Sequence, residues 1–345
     1  MKILVTGGTG CVLSNVARHL LQRRTDARVV ILDSAAPSAL STSYFEAFSD
    51  HVEMVQGDIR DKALLRSLAQ AEAFSHVIHG AAVTHDAQAE RHDPVRFIDI
   101  NLNGTVSLLE WLRVQPRIER YIHVSTGGVY GNPTPFSPVD IQPETGPFDP
   151  PELYAVCKYA AELVARRYGV LFGNPVCRIR LSDVFGPMER PTGARSASSM
   201  SLPYRMMRTA IERRPLRVSK ATFDAGGDYL SAEDISSAVF TLLSRRELPH
   251  DVFNIAAGRL YPIPELFRSF KSAIPDFAWE AVSADQAEVS LDPANRLARY
   301  NAYSIARITG LGWASRSLEE QFKSYADWVG EDPQRRCPKL HEKSP

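Results

Sequence analysis

The chain has 345 residues, enough for one large domain or two modest ones with ample core. Its forty basic and forty acidic side chains cancel, which argues against a nucleic-acid binder, since no net field draws phosphate backbones. No apolar run reaches the ~18 to 20 residues of a membrane span, and the N-terminus reads as neither signal nor transit peptide. Cys11, Cys157, Cys177 and Cys337 are scattered without a C-x-x-C pair, as expected of reduced thiols in a cytoplasmic protein.

In chain order, KILVTG (2–7), ARVVILD (27–33), HVEMVQGD (51–58), HVIHGAA (76–82), RYIHVSTG (120–127) and PVCRIRLS (175–182) predict strands. They are rich in Val and Ile and apolar nearly throughout, the pattern of strands covered on both faces. Helical patterns lie between them at 11–24, 61–72, 94–114 and 152–168. For the last, Asp149 is the expected cap, Pro150 and Pro151 suit a first turn, and Gly169 is the expected stop. This alternation predicts an α/β, doubly wound parallel sheet over residues 1–182. Residues 186–202 are rich in Pro, Gly and Ser and read as a long loop of the kind used for binding or as a lid. Helices at 203–214, 232–245 and 263–273 and strands near 216–219 and 252–256 predict a smaller substrate lobe over 183–330, with segments returning to the sheet. A polar tail, 331–345, follows and is expected to fray.

The first strand runs into Thr6-Gly7-Gly8-Thr9-Gly10 and then a helix. Glycines in such a turn let the backbone approach a pyrophosphate, whose charge sits at the helix N-terminus. A third glycine would fall at position 13, where Leu13 stands. That glycine serves helix–strand packing, so Leu13 is expected either to push the helix outward or to lie along its sheet-facing side, with weakened cofactor affinity the risk. Asp33 closes the second strand, where a carboxylate accepts both ribose hydroxyls of NAD. Ser34-Ala35-Ala36 carry no arginine for a 2′-phosphate, which favours NAD over NADP. Asp58 ends the third strand, placed for the adenine edge.

HVSTGGVYG (123–131) and YAVCK (154–158) supply the chemistry. Tyr154 and Lys158, spaced i, i+4 on a helix, project from one face. An ammonium beside a phenol favours phenolate, a usable base near neutrality. Thr126, at the C-terminal end of a parallel strand, places a hydroxyl where ligands of such sheets bind. Alone, Y-x-x-x-K also fits an ordinary amphipathic helix; the preceding strand-final Ser-Thr and the dinucleotide turn make it a catalytic set.

TGGTG, Asp33, GDIRD, HGAA, the Asn101 region, STGGVYG, YAVCK and DVFGP together resemble, in order, the extended short-chain dehydrogenase/reductases, and within them the NAD-dependent sugar epimerase/dehydratase family. The likeness runs to about LGW (311–313). It implies a Rossmann sheet and NAD, held by Gly7, Gly10, Cys11, Val12, Asp33, Asp58, Ile59, Ala81, Asn101 and Lys158, with Asn101 propping the central helix. It also implies Thr126, Tyr154 and Lys158 as the catalytic set, Tyr154 taking a proton from a secondary alcohol. Homodimers in the family form through four-helix bundles built from helices like 94–114 and 152–168.

The sequence departs from that family in three places. Dehydratases carry Asp-Glu after the Ser-Thr, and here Gly127 and Gly128 stand there, leaving no evident acid for water elimination. Epimerases have Asn in contact with the sugar diphosphate where this chain has Asp183, a candidate substrate-side residue; an ionised Asp repels a diphosphate, and a carboxylate bonded to nearby backbone is the alternative. The diphosphate-clamping arginine before Asp-Phe/Tyr is replaced by Gly227. Arg190 and Arg195 in the long loop, and Arg205 and Arg208 beyond, are candidate replacement anchors, a solvated basic loop being the alternative. Thr84, His85 and Asp86 follow HGAAV and are placed to reach the substrate, though His85 also suits a loop histidine bonded to backbone. The expected function is NAD-dependent oxidation of a secondary alcohol, or reduction of the ketone, of a sugar-derived or polyhydroxylated small molecule. A sugar or nucleotide-sugar 4-epimerase is the alternative, and a non-catalytic NAD-binding regulatory protein the second. No metal is expected.

Overall fold

Short runs dense in Val, Ile and Leu, each ending at a glycine or a carboxylate, build the sheet from the N-terminus onward. In the computed structural model, which describes residues 1–71, 73–115, 118–131, 141–191, 200–291 and 302–331, the first half alternates strand and helix. Its order is β1 (Lys2–Thr6), α1 (Cys11–Arg23), β2 (Arg28–Asp33), α2 (Ala39–Phe45), β3 (Val52–Gln56), α3 (Lys62–Ala71), β4 (His76–His79) and α4 (Ala87–His92). One helical stretch then comprises α5 (Pro94–Phe97), a π-helical turn (Ile98–Asn103) and α6 (Gly104–Arg113), before β5 (Arg120–Thr126), β6 (Ile141–Gln142), α7 (Leu153–Phe172) and β7 (Val176–Leu181). The second half is β8 (Asp183–Phe185), α8 (Leu202–Ile211), β9 (Leu216–Ser219), β10 (Gly226–Gly227), β11 (Tyr229–Ser231), α9 (Ala232–Leu243) and β12 (Val252–Ile255). It closes with β13 (Tyr261–Pro262), α10 (Ile263–Ala273), β14 (Trp279–Val282), β15 (Ala302–Tyr303), α11 (Ala306–Thr309) and α12 (Leu318–Glu331).

Among the described residues, seven strands form one parallel sheet in the order β12-β7-β5-β4-β1-β2-β3. The strand 252–255 returns to this sheet beside β7. One face carries Ile3, Val5, Ile31, Ile122 and Ile179, covered by α1 and α9 through Val16, Leu20, Ile235 and Val239. The other carries Leu4, Val30, Val77 and Tyr121 under Leu108 and Leu112 of α6 and Ala165 of α7. Each fully buried aliphatic side chain contributes ~1.5–3 kcal/mol, so both layers are held by the sheet they cover. A separate aromatic core, with Phe185, Phe267, Phe270, Phe277 and Phe322, lies under α8, α10 and α12.

The ends of α7 differ from expectation. The helix starts at Leu153 with Glu152 at the cap position and no side-chain cap; Glu90 from α4 accepts the Leu153 N–H instead, at 3.2 Å. Asp149 is therefore not the cap. Gly169 does not stop the helix, which runs to Phe172 and ends at Gly173 in the left-handed region, φ 72°. Gly169 has a packing reason: a Cβ there would stand 3.0 Å from Cγ2 of Val176, so the glycine lets α7 lie close on β7.

Candidate active site

The cofactor turn meets the geometric demand of a pyrophosphate cradle. Gly7 has φ +79°, and a Cβ on it would lie 2.8 Å from the Ala81 backbone, so only glycine fits. Above Gly10 the space is open apart from the Gly7 carbonyl, 3.4 Å from where a Cβ would be. Cys11 and Val12 head α1, the end of a helix that attracts anionic phosphate. The Cys11 side chain itself turns away, its thiol donating to the Pro187 carbonyl at 3.3 Å. Asp33 sits at the end of β2 with Oδ2 accepting from Thr9 N (3.0 Å) and Thr9 Oγ1 (2.7 Å) and Oδ1 from Ala35 N (3.0 Å). This aims the carboxylate across the turn, as a ribose diol requires. These residues fit NAD.

Leu13 takes the second of its two expected positions. It is buried on the sheet-facing side of α1, and a Cβ on Gly80 would lie 2.6 Å from its Cδ1. The glycine absent from the helix is thus supplied by the strand exit it faces. Ile59 is a core side chain against Gly104, where a Cβ would meet its Cγ2 at 2.9 Å, so only its backbone is available to a cofactor. Asp58 is engaged in a two-pronged pair with Arg60, closest at 2.6 Å, and that guanidinium holds its carboxyl below the usual range. Asn101 is held in a supporting bond pair. It is fully buried in the π-helical turn, and both ends of its amide bond the Val83 backbone, at 2.8 and 2.9 Å.

Val83 belongs to a small apolar cluster with Phe97 and Cys157, against which Tyr154 also packs. Thr126 closes β5 and caps the turn that follows, accepting from Gly128 N at 3.1 Å. A Cβ at Gly128 would stand 3.4 Å from Thr126 Oγ1 and 3.5 Å from Ala155 Cβ. The Thr126 hydroxyl and the first turn of α7 therefore flank one glycine. Lys158 lies one turn after Tyr154 and is 2% exposed. Burial pulls its pKa down to about 8 while Glu162 pulls it back up; near neutrality it keeps its proton.

Residues 3–256 match the model of the NAD dependent epimerase/dehydratase family. The chain belongs to that family. It is an NAD-dependent enzyme of the extended short-chain dehydrogenase/reductase type. It is 28% identical over 340 residues to the trifunctional UDP-glucose 4,6-dehydratase/UDP-4-keto-6-deoxy-D-glucose 3,5-epimerase/UDP-4-keto-L-rhamnose-reductase of Arabidopsis thaliana, over 96% of this chain but 48% of that protein. The chain thus spans about half the length of that relative. It is 29% identical to a putative UDP-glucose 4-epimerase of Methanocaldococcus jannaschii, over 95% of this chain and 98% of the relative. Among solved structures, the UDP-glucose 4-epimerase of Thermotoga maritima with UDP-glucose superposes with a TM-score of 0.78 at 23% identity, covering 96% of this chain and 99% of the other.

On the substrate side, this family member keeps few of the expected anchors in place. Asp183 donates its N–H to the Asp228 carbonyl at 3.0 Å and lies in β8 beside β11. Arg205 bonds the Glu288 carbonyl and Arg208 pairs with Glu212, so neither guanidinium is held for a ligand. Arg190, expected to anchor substrate, instead bonds Ser38 Oγ at 3.2 Å on the Asp33 side. Arg195 lies outside the described residues. Thr84 is exposed. His85 stands between Glu90 (3.7 Å) and Glu152 (3.5 Å), beside the start of α7; Asp86 caps α4. At Gly227 a Cβ would meet the Tyr229 ring at 2.6 Å, so that ring occupies the way out for an arginine. Among the described residues no His/Cys/Asp/Glu group could hold a metal ion.

Two features escaped the sequence reading. At Gly127 a Cβ would lie 2.4 Å from the Tyr303 hydroxyl, so a residue from β15 fills the space of the acid that dehydratases carry. Nothing near Tyr303 in sequence marks it. The second is a polar rung across the sheet: Thr6, His79, His123 and Arg178 sit in register on β1, β4, β5 and β7. His79 bonds Thr6 (2.7 Å) and Thr105 (2.9 Å), and burial holds both histidines well below their usual pKa, with Lys158 pushing the same way. Beyond it, Glu162 takes Arg180 at 2.7 Å. The signal was present: Tyr121, His123 and Ser125, then Arg178 and Arg180, alternate with apolar neighbours at period two.

Proposed function

We propose that this enzyme oxidises a secondary alcohol of a sugar-derived substrate and eliminates no water. The buried Lys158 ammonium favours the Tyr154 phenolate by charge, that phenolate takes the alcohol proton and becomes the neutral phenol, and the Thr126 hydroxyl orients the reacting oxygen. NAD, when bound, supplies the hydride acceptor. The observation that carries this reading is glycine at both positions after Thr126, with the Tyr303 hydroxyl in the space above Gly127. No carboxylic acid at these positions protonates a leaving hydroxyl.

The first outcome of that oxidation is epimerisation, in which the ketone is reduced again from its other face; likeness over nearly the full length to the putative UDP-glucose 4-epimerase supports it. The second is net dehydrogenation, favoured by Asp183 and by the blocked arginine position at Gly227. An intermediate held less tightly leaves about tenfold sooner for every ~1.4 kcal/mol of lost contact. Incubation with NAD and a panel of free sugars, sugar acids and UDP-sugars separates the outcomes. Isomer without net NADH marks an epimerase, and accumulating NADH a dehydrogenase. A dehydrated keto-deoxy product sinks the proposal, as does silence across the panel with NAD bound, which points to the non-catalytic reading. Tyr154→Phe should abolish every conversion and leave the NAD dissociation constant unchanged.

A homodimer is part of the same reading. Val156, Leu163 and Val170 are exposed at heptad spacing on α7, and Val95 and Ile98 are exposed on the adjoining helical stretch. Apolar stripes of this kind on two packed helices suit burial against a second copy, giving four helices in all.

A further inference from the structure

The arginine that the stretch after β2 lacks arrives from elsewhere in the fold. The segment 186–190 leaves β8 and crosses the N-terminal end of α1. There the Pro187 carbonyl accepts from Cys11 Sγ (3.3 Å) and Asn15 Nδ2 (2.9 Å). Met188 is buried with φ 68°, a conformation that a non-glycine residue keeps only where its surroundings impose it. Glu189, also buried, accepts from Ser201 N (2.8 Å) and Ser201 Oγ (2.7 Å). The chain leading into Arg190 is therefore held at three successive residues. Its guanidinium makes one hydrogen bond among the described residues, to Ser38 Oγ at 3.2 Å, five residues beyond Asp33 in the chain, and the Asp33 charge acts on it without an ion-pair contact.

Asp33 without a neighbouring cation would repel a ribose 2′-phosphate and select NAD. Here a guanidinium, with most of its five donors uncommitted, stands on the same edge of the cleft. Asp33, already bonded by Thr9 and Ala35, is fixed in place beside it. We propose that Arg190 forms a 2′-phosphate subsite with Ser38, so that the ribose end of the cleft accepts NADP as well as NAD. The proposal rests on the NAD site and not on the choice of sugar substrate.

Titration of the purified full-length chain with NAD, NADP, 5′-ADP and 2′,5′-ADP, followed by calorimetry, tests it. The wild type should bind NADP within about tenfold of NAD, and 2′,5′-ADP at least as tightly as 5′-ADP. Arg190→Ala and Arg190→Gln should each widen the NAD-over-NADP preference by about tenfold or more, chiefly by losing NADP affinity. Arg190→Lys should recover part of it. A melting temperature of each unliganded variant near that of the wild type shows that the loop still docks. Should one variant unfold, the others and the wild-type ratios decide. Rejection of NADP by about a thousandfold in the wild type overturns the proposal. So does an equal loss for both dinucleotides in the variants, which would make Arg190 a general support. Binding of neither dinucleotide by the wild type overturns the cofactor assignment itself.

Discussion

Lys158, proposed for the catalytic set, carries a cost for the fold that holds it. It is almost fully buried, and burial lowers its pKa from 10.5 to about 8. That gap corresponds to a penalty of ~3 kcal/mol for folding with the ammonium charged, present below pH 8. Replacing it with the apolar, similarly shaped side chain in Lys158→Met should raise the unfolding free energy at pH 7 by ~1–3 kcal/mol while turnover is lost. The sign with pH follows from linkage. Between about 8 and 10.5 the folded lysine has shed a proton that the unfolded chain keeps, so wild-type stability climbs and the variant's advantage shrinks. Urea denaturation of both proteins across that range checks it; a less stable variant at pH 7 would mean that the charge is repaid by contacts in the fold. Tyr154 and Lys158 were readable as a candidate pair because their i, i+4 spacing is local, and Thr126 as a candidate because it ends a strand. Tyr303 was not, because its hydroxyl reaches Gly127 only through the pairing of β15 with β6.

Among the elements, α1 and the exit of β4 carry a paired change of size. Leu13 fills the space above Gly80, where a Cβ would lie 2.6 Å from the leucine Cδ1. Leu13→Ala should lose ~2–4 kcal/mol through the cavity it opens, and Gly80→Ala ~1–3 kcal/mol through overpacking. Together they should cost less than their sum by at least ~0.5 kcal/mol, since the added methyl enters the vacated volume. Additive losses in denaturant unfolding would show that the two sites do not share that space. NAD affinity should stay near wild type in the double variant, because Gly7 and Gly10 shape the cradle and Leu13 is buried against the sheet. The element pattern itself was readable: KILVTG gave a strand to within a residue, and HVIHGAA one that starts where expected and ends three residues sooner. The boundaries of α7 were not, because Glu90 from another helix caps it and Gly169 is a packing device rather than a stop.

Across the whole molecule, the exposed stripe on α7 predicts a state of assembly. The wild type should run as a dimer in light scattering at micromolar concentration, and the combined Val156→Arg and Leu163→Arg variant as a monomer with the fold intact. A monomeric wild type, or a variant that still dimerises, removes the four-helix arrangement. Arg190 and Tyr303 act at this same scale. One carries a cation from the end of β8 to the ribose end of the cleft, and the other brings a phenol to the reactive end.

The sequence by itself determined the doubly wound sheet and the dinucleotide turn, and it marked Thr126, Tyr154 and Lys158 as the set proposed for catalysis. The sheet, the turn and the Tyr154–Lys158 pair rest on periodicity or spacing within a few residues, where the backbone alone dictates which side chains share a face, and Thr126 rests on its place at a strand end. Only the tertiary structure decided that Leu13 is matched by Gly80, that Asn101 supports a loop, and that Arg190 stands beside Asp33. It also decided that Tyr303 fills the place of the absent acid. Those pairs are far apart along the chain, and they meet only because burial of the apolar faces of the sheet folds distant segments over its C-terminal edge.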